Sequence, residues 1–128
     1  MRLLQWLFRN RSARSLALSF YKRGLARTKK HDHQGAMQDF TDAIESPSAP
    51  DDVRAMALYN RALLFAAANN FSAAVVDLTA VLAMAAPLRE IKQAARRRLD
   101  RMQYQRSLAG GSISQSGKAN GLESNAAG

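Results

Sequence analysis

Residues 21–44 read YKRGLARTKKHDHQGAMQDFTDAI, and residues 59–82 read YNRALLFAAANNFSAAVVDLTAVL. The two stretches match when the chain is compared with itself at an offset of 38 residues. Self-similarity at a period of about 20–50 residues is typical of stacked-repeat architectures. We therefore expect two copies of one structural unit, with these identical pairs: Ala17/Ala55, Tyr21/Tyr59, Arg23/Arg61, Leu25/Leu63, Ala36/Ala74, Asp39/Asp77 and Thr41/Thr79.

The local pattern of the chain is helical throughout. Apolar residues recur at three- and four-residue spacing among good helix formers, and no segment alternates with period two for long enough to be a strand. Prolines in SPSAP (46–50) and at position 87 interrupt the pattern, because proline ends helices. The predicted fold class is all-α, with helices over about 12–30, 34–46, 51–68, 71–85 and 88–107.

Small and bulky residues alternate at the repeated positions in a way that suits two antiparallel helices. Gly24 and Ala62 are small where one helix has to approach its neighbour closely. Phe40 and Leu78 supply the bulk that fills the space between the two helices of each pair.

The order of small and bulky residues in about residues 13–85 resembles that of the tetratricopeptide repeat (TPR) family. The resemblance implies antiparallel helix pairs stacked as a short right-handed α-solenoid of about two and a half repeats, with a C-terminal capping helix. The family's bulky, small, aromatic, small, bulky and small positions fall on Leu58, Ala62, Phe65, Ala74, Leu78 and Val81. In the first copy they fall on Phe20, Gly24, Arg27, Ala36, Phe40 and Ala43, with the late proline at Pro47.

Two departures from the family pattern stand out. The period is 38 residues instead of the family's 34 or so, and a longer connection around SPSAP explains the difference. Arg27 occupies the position of the usual aromatic residue in the first copy, where Phe65 keeps it in the second.

The repeat suggests three regions along the chain. Residues 1–11 form a basic N-terminal segment, and residues 12–107 form the repeat domain, with repeats at about 13–48 and 51–85 and the capping helix at about 88–107. Residues 108–128 are mostly Gly, Ser, Ala and Asn, and we expect a disordered tail because such a segment buries too little apolar surface to offset its ordering entropy.

Charge is distributed unevenly. Residues 1–31 carry nine Arg or Lys and no acid, residues 32–88 carry seven acids against two arginines, and residues 89–128 are basic again. One interpretation is a basic face directed at an anionic partner; the other is a solvated surface of an Arg-rich protein. We expect Asp39, Asp42, Glu45 and Asp77 on the exposed convex side of the second helices.

The residue types in the sequence favour a protein that is not an enzyme and needs no cofactor or metal. The sequence has no cysteine, which excludes a thiolate zinc site and a cysteine nucleophile. It contains no glycine-rich phosphate loop. His31, Asp32 and His33 are interpreted as a solvated turn that holds no metal, and Asp39 with Asp42 as an exposed helix face.

The remaining function is binding, and we predict a protein-interaction module or adaptor that holds a peptide in the concave groove of the array. The resemblance implies that an asparagine placed like Asn60 hydrogen-bonds the peptide backbone. For Tyr21 and Tyr59, packing between repeats is the competing interpretation. The predicted peptide-binding residues are Tyr21, Lys22, Leu25, Lys29, Met56, Tyr59, Asn60, Leu63, Arg96 and Arg97.

The predicted partner is an acidic protein or peptide segment, and self-association is a second possibility for so short an array. The alternative function is binding of nucleic acid or an anionic membrane surface through the Arg-rich fifth helix and the N-terminal segment. There, Trp6 and Phe8 stand among Arg2, Arg9, Arg11 and Arg14. We expect a cytoplasmic protein; the acid-free basic N-terminus keeps mitochondrial targeting open.

Overall fold

In a computed structural model of the chain, residues 2–47 and 49–126 are described, with the side chains of 7–10 and 111–126 left out. The described residues form helices and connecting turns, without a strand. The chain divides into two units, residues 1–96 and 97–128. The helices are α1 (Arg2–Lys29), α2 (His33–Glu45), α3 (Asp51–Ala67), α4 (Phe71–Ala83) and α5 (Arg89–Ala126).

The all-α prediction is confirmed, and the bounds of α2, α3 and α4 lie within two residues of those expected. The two terminal helices are longer than predicted. The N-terminal segment is helical from Arg2 onward, and α5 continues to Ala126, past the residue where the composition predicts a disordered tail. Because the hydrogen bonds of a helix are made between residues four apart, a segment that buries little can still extend a helix already begun.

Consecutive helices pack as two antiparallel pairs, α1 with α2 and α3 with α4. In the first pair, Arg27 near the end of α1 donates to the carbonyl of Gly35 near the start of α2. Further from the turn, a side chain at Gly24 would meet Phe40. Contacts that move away from the turn along both helices identify an antiparallel pair, as expected for helices joined by so short a connection.

The two interhelical turns repeat the same backbone geometry 38 residues apart. His31 and Asn69 both have φ of 61°, a left-handed conformation for which histidine and asparagine are among the tolerated residues. The next residue then caps the following helix: the Asp32 carboxylate accepts from the Gly35 amide, and the Asn70 side chain accepts from the Ala73 amide. These side chains satisfy amide groups that the first helical turn leaves without an intrahelical partner.

The core of each pair is built from the small and bulky residues that the repeat preserves. Phe40 and Leu78, at equivalent positions, are fully excluded from solvent, as are Ala36 and Ala74. A Cβ atom added at Gly24 would lie 2.6 Å from Cε1 of Phe40. Glycine at this position therefore permits the close approach of α1 and α2, as the sequence predicts.

Helices α1 and α3 pack side by side and run in the same direction. Arg14 of α1 binds Asp52 in the first turn of α3 through two contacts of 3.0 and 3.3 Å, 38 residues apart. Tyr21 and Asn60 are hydrogen-bonded 39 residues apart. The two contacts follow the same order along both helices, from Arg14 to Tyr21 on α1 and from Asp52 to Asn60 on α3, so the two helices are parallel.

The Arg14–Asp52 pair makes a pH-dependent contribution to stability. The hydrogen bond from Arg14 lowers the pKa of Asp52 below its ordinary 3.8, so the folded state favours the charged carboxylate. The contribution is therefore present above the ordinary pKa and is lost as pH falls below it. We expect Arg14→Gln to lower the free energy of unfolding at neutral pH by at most about 1 kcal/mol, because both side chains are partly exposed.

Denaturant unfolding of both proteins from neutral pH down to about pH 2 checks this prediction, because the acid limit lies below the ordinary carboxyl range. The difference between them should shrink as pH falls through the Asp52 titration. A difference that stays constant down to acid pH would show that Arg14 stabilises the helix by some other contact.

Candidate binding face

A buried carboxylate connects the two helices of the first pair. Asp39 is fully excluded from solvent and accepts hydrogen bonds from Arg23 Nε at 2.9 Å and Arg27 Nη1 at 3.0 Å. Two arginines therefore share one carboxylate. The hydrogen bond to Asp39 raises the pKa of Arg23.

The second pair repeats this arrangement with one arginine. Arg61 Nε and Nη2 donate to the two oxygens of Asp77 at 2.7 and 2.8 Å, a bidentate pair of the strong kind. Its third nitrogen, Nη1, donates to Thr41 Oγ1 of α2 at 3.1 Å. Arg61 therefore holds the second pair together and also ties it to the first.

The expected placement of four acids on an exposed convex side is wrong for Asp39 and Asp77. Both carboxylates are buried in ion pairs, and the interpretation of Asp39 with Asp42 as an exposed face fails for Asp39. An Asp inside an amphipathic helix looks exposed in the sequence because charged residues are rarely buried unpaired. One signal in the sequence could have corrected this expectation. Both an arginine and an aspartate recur at the 38-residue offset: Arg23 with Asp39 in the first copy, and Arg61 with Asp77 in the second.

Arg27, which stands at the position that Phe65 occupies in the second copy, contributes to this network. It completes the Asp39 site, and it also lies near the Asp32 carboxylate, at 3.8 Å. In the second copy the aromatic is present as Phe65, with the Arg61 guanidinium 5.7 Å from its ring centre. At this position the first copy therefore has a second partner for its buried aspartate, whereas the second copy has a ring beside the arginine that binds its aspartate.

Tyr21 and Asn60, two predicted ligand-binding residues, are brought together where α1 meets α3. The Asn60 Nδ2 donates to Tyr21 Oη at 3.3 Å and to the Met56 carbonyl at 2.8 Å. Tyr21 also lies against Phe40, with ring centres 6.0 Å apart, and burial raises its pKa. Tyr21 therefore packs between the repeats, which was the competing interpretation of this residue.

The hydrogen bonds of Asn60 change its expected role. An amide nitrogen has two hydrogens, and both are used within the protein. The group left for a ligand is the side-chain oxygen, which accepts and does not donate. A peptide N–H, and not a peptide carbonyl, is what Asn60 could hold in this arrangement.

We define the α1–α3 face as the eight predicted residues on these two helices. Lys22 and Lys29 are exposed, and among the described residues neither forms an ion pair. Leu25 and Met56 are half-buried because they also pack against the core. The complete face comprises Tyr21, Lys22, Leu25, Lys29, Met56, Tyr59, Asn60 and Leu63.

The two remaining predicted site residues, Arg96 and Arg97, are exposed on α5. They stand on either side of the boundary between the two units. Their predicted part in ligand binding therefore stays a prediction, tested below together with the face.

The histidines of the first turn lie close together, with His31 and His33 ring centres 6.1 Å apart. Throughout the described part of the chain, no group of three or more His, Cys, Asp or Glu residues is placed to hold a metal ion. The carboxylate between the two histidines, Asp32, is used to cap α2.

Within residues 2–47 and 49–126, none of the helices combines the length and the hydropathy that crossing a bilayer requires. Comparison of the chain with protein-family models, with curated proteins and with solved structures gave no match.

Proposed function

We propose that this chain is a TPR-like, non-catalytic interaction module that binds an acidic peptide segment on the α1–α3 face. The observation that carries the proposal is which bases in residues 13–29, the repeated part of α1, form ion pairs with other helices. Arg14, Arg23 and Arg27 are engaged by carboxylates of other helices, whereas Lys22 and Lys29 on the face are not. Two unpaired cations on α1, next to the helix that carries half-buried Tyr59 and Leu63, suit an acidic ligand with some apolar character.

The repeated contacts support the solenoid part of the proposal. Equivalent ion pairs, caps and left-handed turn residues recur at the 38-residue offset, and α1 lies beside α3 in the register of one repeat. A right-handed stack of such pairs would present the first helices along one concave surface. The α1–α3 face would then line the groove.

The start of α5 supports its assignment as the first helix of an incomplete third copy. Lys92 donates to the Met84 carbonyl at the end of α4, much as Arg54 donates to the Ile44 carbonyl at the end of α2. Ala95 is fully buried, like Ala57 at the equivalent position of α3. We therefore propose that the start of α5 caps the array, and that Arg96, in the same unit, extends the positive charge of the groove. Arg97, the next residue in the sequence, is tested together with it.

Fluorescence anisotropy with a labelled acidic peptide tests the proposal on the intact chain. Replacing Lys22 and Lys29 together by glutamine should weaken binding between about twofold and about thirtyfold, since exposed ion pairs contribute about 0.2–1 kcal/mol each. Affinity should also fall as the salt concentration rises, because the Debye length, over which charges attract each other, shortens to about 3 Å at 1 M salt. Tyr59→Ala should weaken binding further, and Arg96→Glu with Arg97→Glu should lower the preference for acidic over basic peptides.

The control makes the same change in net charge on another surface. Gln34→Glu with Ser72→Glu alters exposed first-turn positions of α2 and α4 by the same two charge units, and it should leave affinity unchanged. Asn60 is left intact, because its removal would disturb the contact of α1 with α3. The proposal would be wrong if both double variants weakened binding of the acidic peptide equally, or if the protein bound Lys- and Arg-rich peptides more tightly.

A further inference from the structure

Helix α1 carries an extension that the repeat does not explain. At the 38-residue offset, the first residue of α3, Asp51, corresponds to Ala13. Residues 2–12 of α1 therefore have no counterpart in the second copy. At about 1.5 Å of rise per residue, they add three turns of helix before the part of α1 that carries the repeat.

The first turns of this extension expose large apolar side chains. Leu3, Leu4 and Trp6 are 72%, 58% and 56% exposed. Leu3 and Trp6 are three residues apart and so lie on the same side of the helix, and Leu4 lies about 100° round the helix axis from Leu3 on the side away from Trp6. Arg2 and Gln5, also exposed and three apart, occupy the neighbouring side. The extension is therefore amphipathic at its start, and its apolar side is open to solvent.

The cations of the extension differ from those of the repeat. Arg14, the first base beyond the extension, is already engaged by Asp52. Arg2 and Arg11 are exposed, and no ion pair to either is found among the described residues. The sequence adds Arg9, whose side chain, like that of Phe8, lies outside the described ones, and it places no acid before Asp32. The extension combines uncompensated positive charge with exposed apolar side chains.

We propose that residues 2–12 form a helix that binds reversibly to the surface of an anionic membrane. Helices that lie in the lipid interface bury Leu and Trp side chains at the boundary of headgroups and acyl chains, while Arg and Lys contact the headgroups. Tryptophan favours this boundary because its ring is apolar and its N–H is polar. Anionic headgroups attract the basic residues and make the binding depend on salt.

Nucleic acid is the other anionic ligand for these cations, and the exposed leucines favour the membrane. Phosphate contacts require basic and polar groups, and a tryptophan can stack on a base. Leu3 and Leu4 contribute to neither interaction. Their burial in lipid, by contrast, removes apolar surface from water. The proposal concerns a surface separate from the α1–α3 face and does not depend on peptide binding there.

Trp6 is the chain's one tryptophan, so its fluorescence reports directly on the extension of the intact chain. With vesicles of phosphatidylglycerol and phosphatidylcholine, we expect a blue shift and stronger emission that diminish as salt rises. Vesicles of phosphatidylcholine alone should give at most a weak response. Leu3→Gln with Leu4→Gln should lower the partition coefficient at least about tenfold, since two leucine side chains are lost from the lipid phase.

Matched variants distinguish vesicle binding by this surface from non-specific binding by any exposed apolar residue and from loss of the folded structure. Leu16→Gln changes an exposed leucine further along the same helix, and Phe71→Gln changes an exposed aromatic of α4; neither should affect vesicle binding. The Leu3/Leu4 variant should keep wild-type helicity and wild-type affinity for the acidic peptide. No spectral shift with anionic vesicles at low salt would overturn the proposal. So would equal losses in the control variants, or a Trp6 response to RNA without one to vesicles.

Discussion

Replacing Arg61 by methionine is expected to lower the free energy of unfolding by about 3–5 kcal/mol, the cost of leaving one charge of a buried pair without its partner. The side chain of Asp77 is 5% exposed and that of Arg61 is 19% exposed, so water cannot readily replace the lost guanidinium. The variant also loses the hydrogen bond to Thr41, which ties the second pair to the first. Denaturant unfolding followed by far-UV circular dichroism measures the effect.

Two further variants test whether the unpaired charge is the cause. Arg23→Met removes the equivalent residue of the first copy, but Arg27 still contacts Asp39, and Arg23 itself is 53% exposed. Its effect should be clearly smaller than that of Arg61→Met. Arg61→Met combined with Asp77→Ala removes both charges and should recover much of the loss. A cost below about 1 kcal/mol for Arg61→Met, within the range of exposed pairs, would contradict the structural role of this pair.

The second large effect is expected at Phe40, the largest side chain that is fully buried. Phe40→Ala should lower the free energy of unfolding by about 3–5 kcal/mol, because it removes apolar contacts and leaves a cavity between α1 and α2. Because whole small domains are stable by only about 5–15 kcal/mol, the same unfolding measurement should show a large shift of the midpoint.

The second repeat supplies a control for this contact. It has Ala62 and Leu78 at the positions of Gly24 and Phe40. Gly24→Ala alone should destabilise by about 1–3 kcal/mol, since the new Cβ would overlap the Phe40 ring. In a Phe40→Leu background the same change should stop being harmful and should contribute the usual helix-propensity advantage of about 0.5–1 kcal/mol over glycine. Additive effects in this double-mutant cycle would show that the two residues do not contact each other.

The solvent exposure of part of the candidate site could be predicted from the sequence, because its residues follow the helical period. Lys22 and Lys29 are exposed as expected, and Tyr59 is partly accessible. The spacing of residues in the sequence could not show that Asn60 uses both amide hydrogens in bonds within the protein, or that Tyr21 accepts one of them. Those contacts depend on how α1 and α3 are rotated towards each other, and the spacing along either helix carries no information on that rotation.

The sequence by itself determined the number and type of the repeated helices, because helix propensity, proline breaks and apolar period are properties of neighbouring residues. It also indicated the close approach at Gly24, since both copies have a small residue at this position, Gly24 and Ala62, together with a bulky one at position 40 or 78. The tertiary structure alone decided which charges are buried. Asp39 and Asp42 are one helical turn apart on α2, yet Asp39 is fully buried while Asp42 keeps partial access to solvent. Burying a charged carboxylate is costly unless it is paired, and here Arg23, Arg27 and Arg61 reach the buried carboxylates from another helix, 12–16 residues away in the sequence.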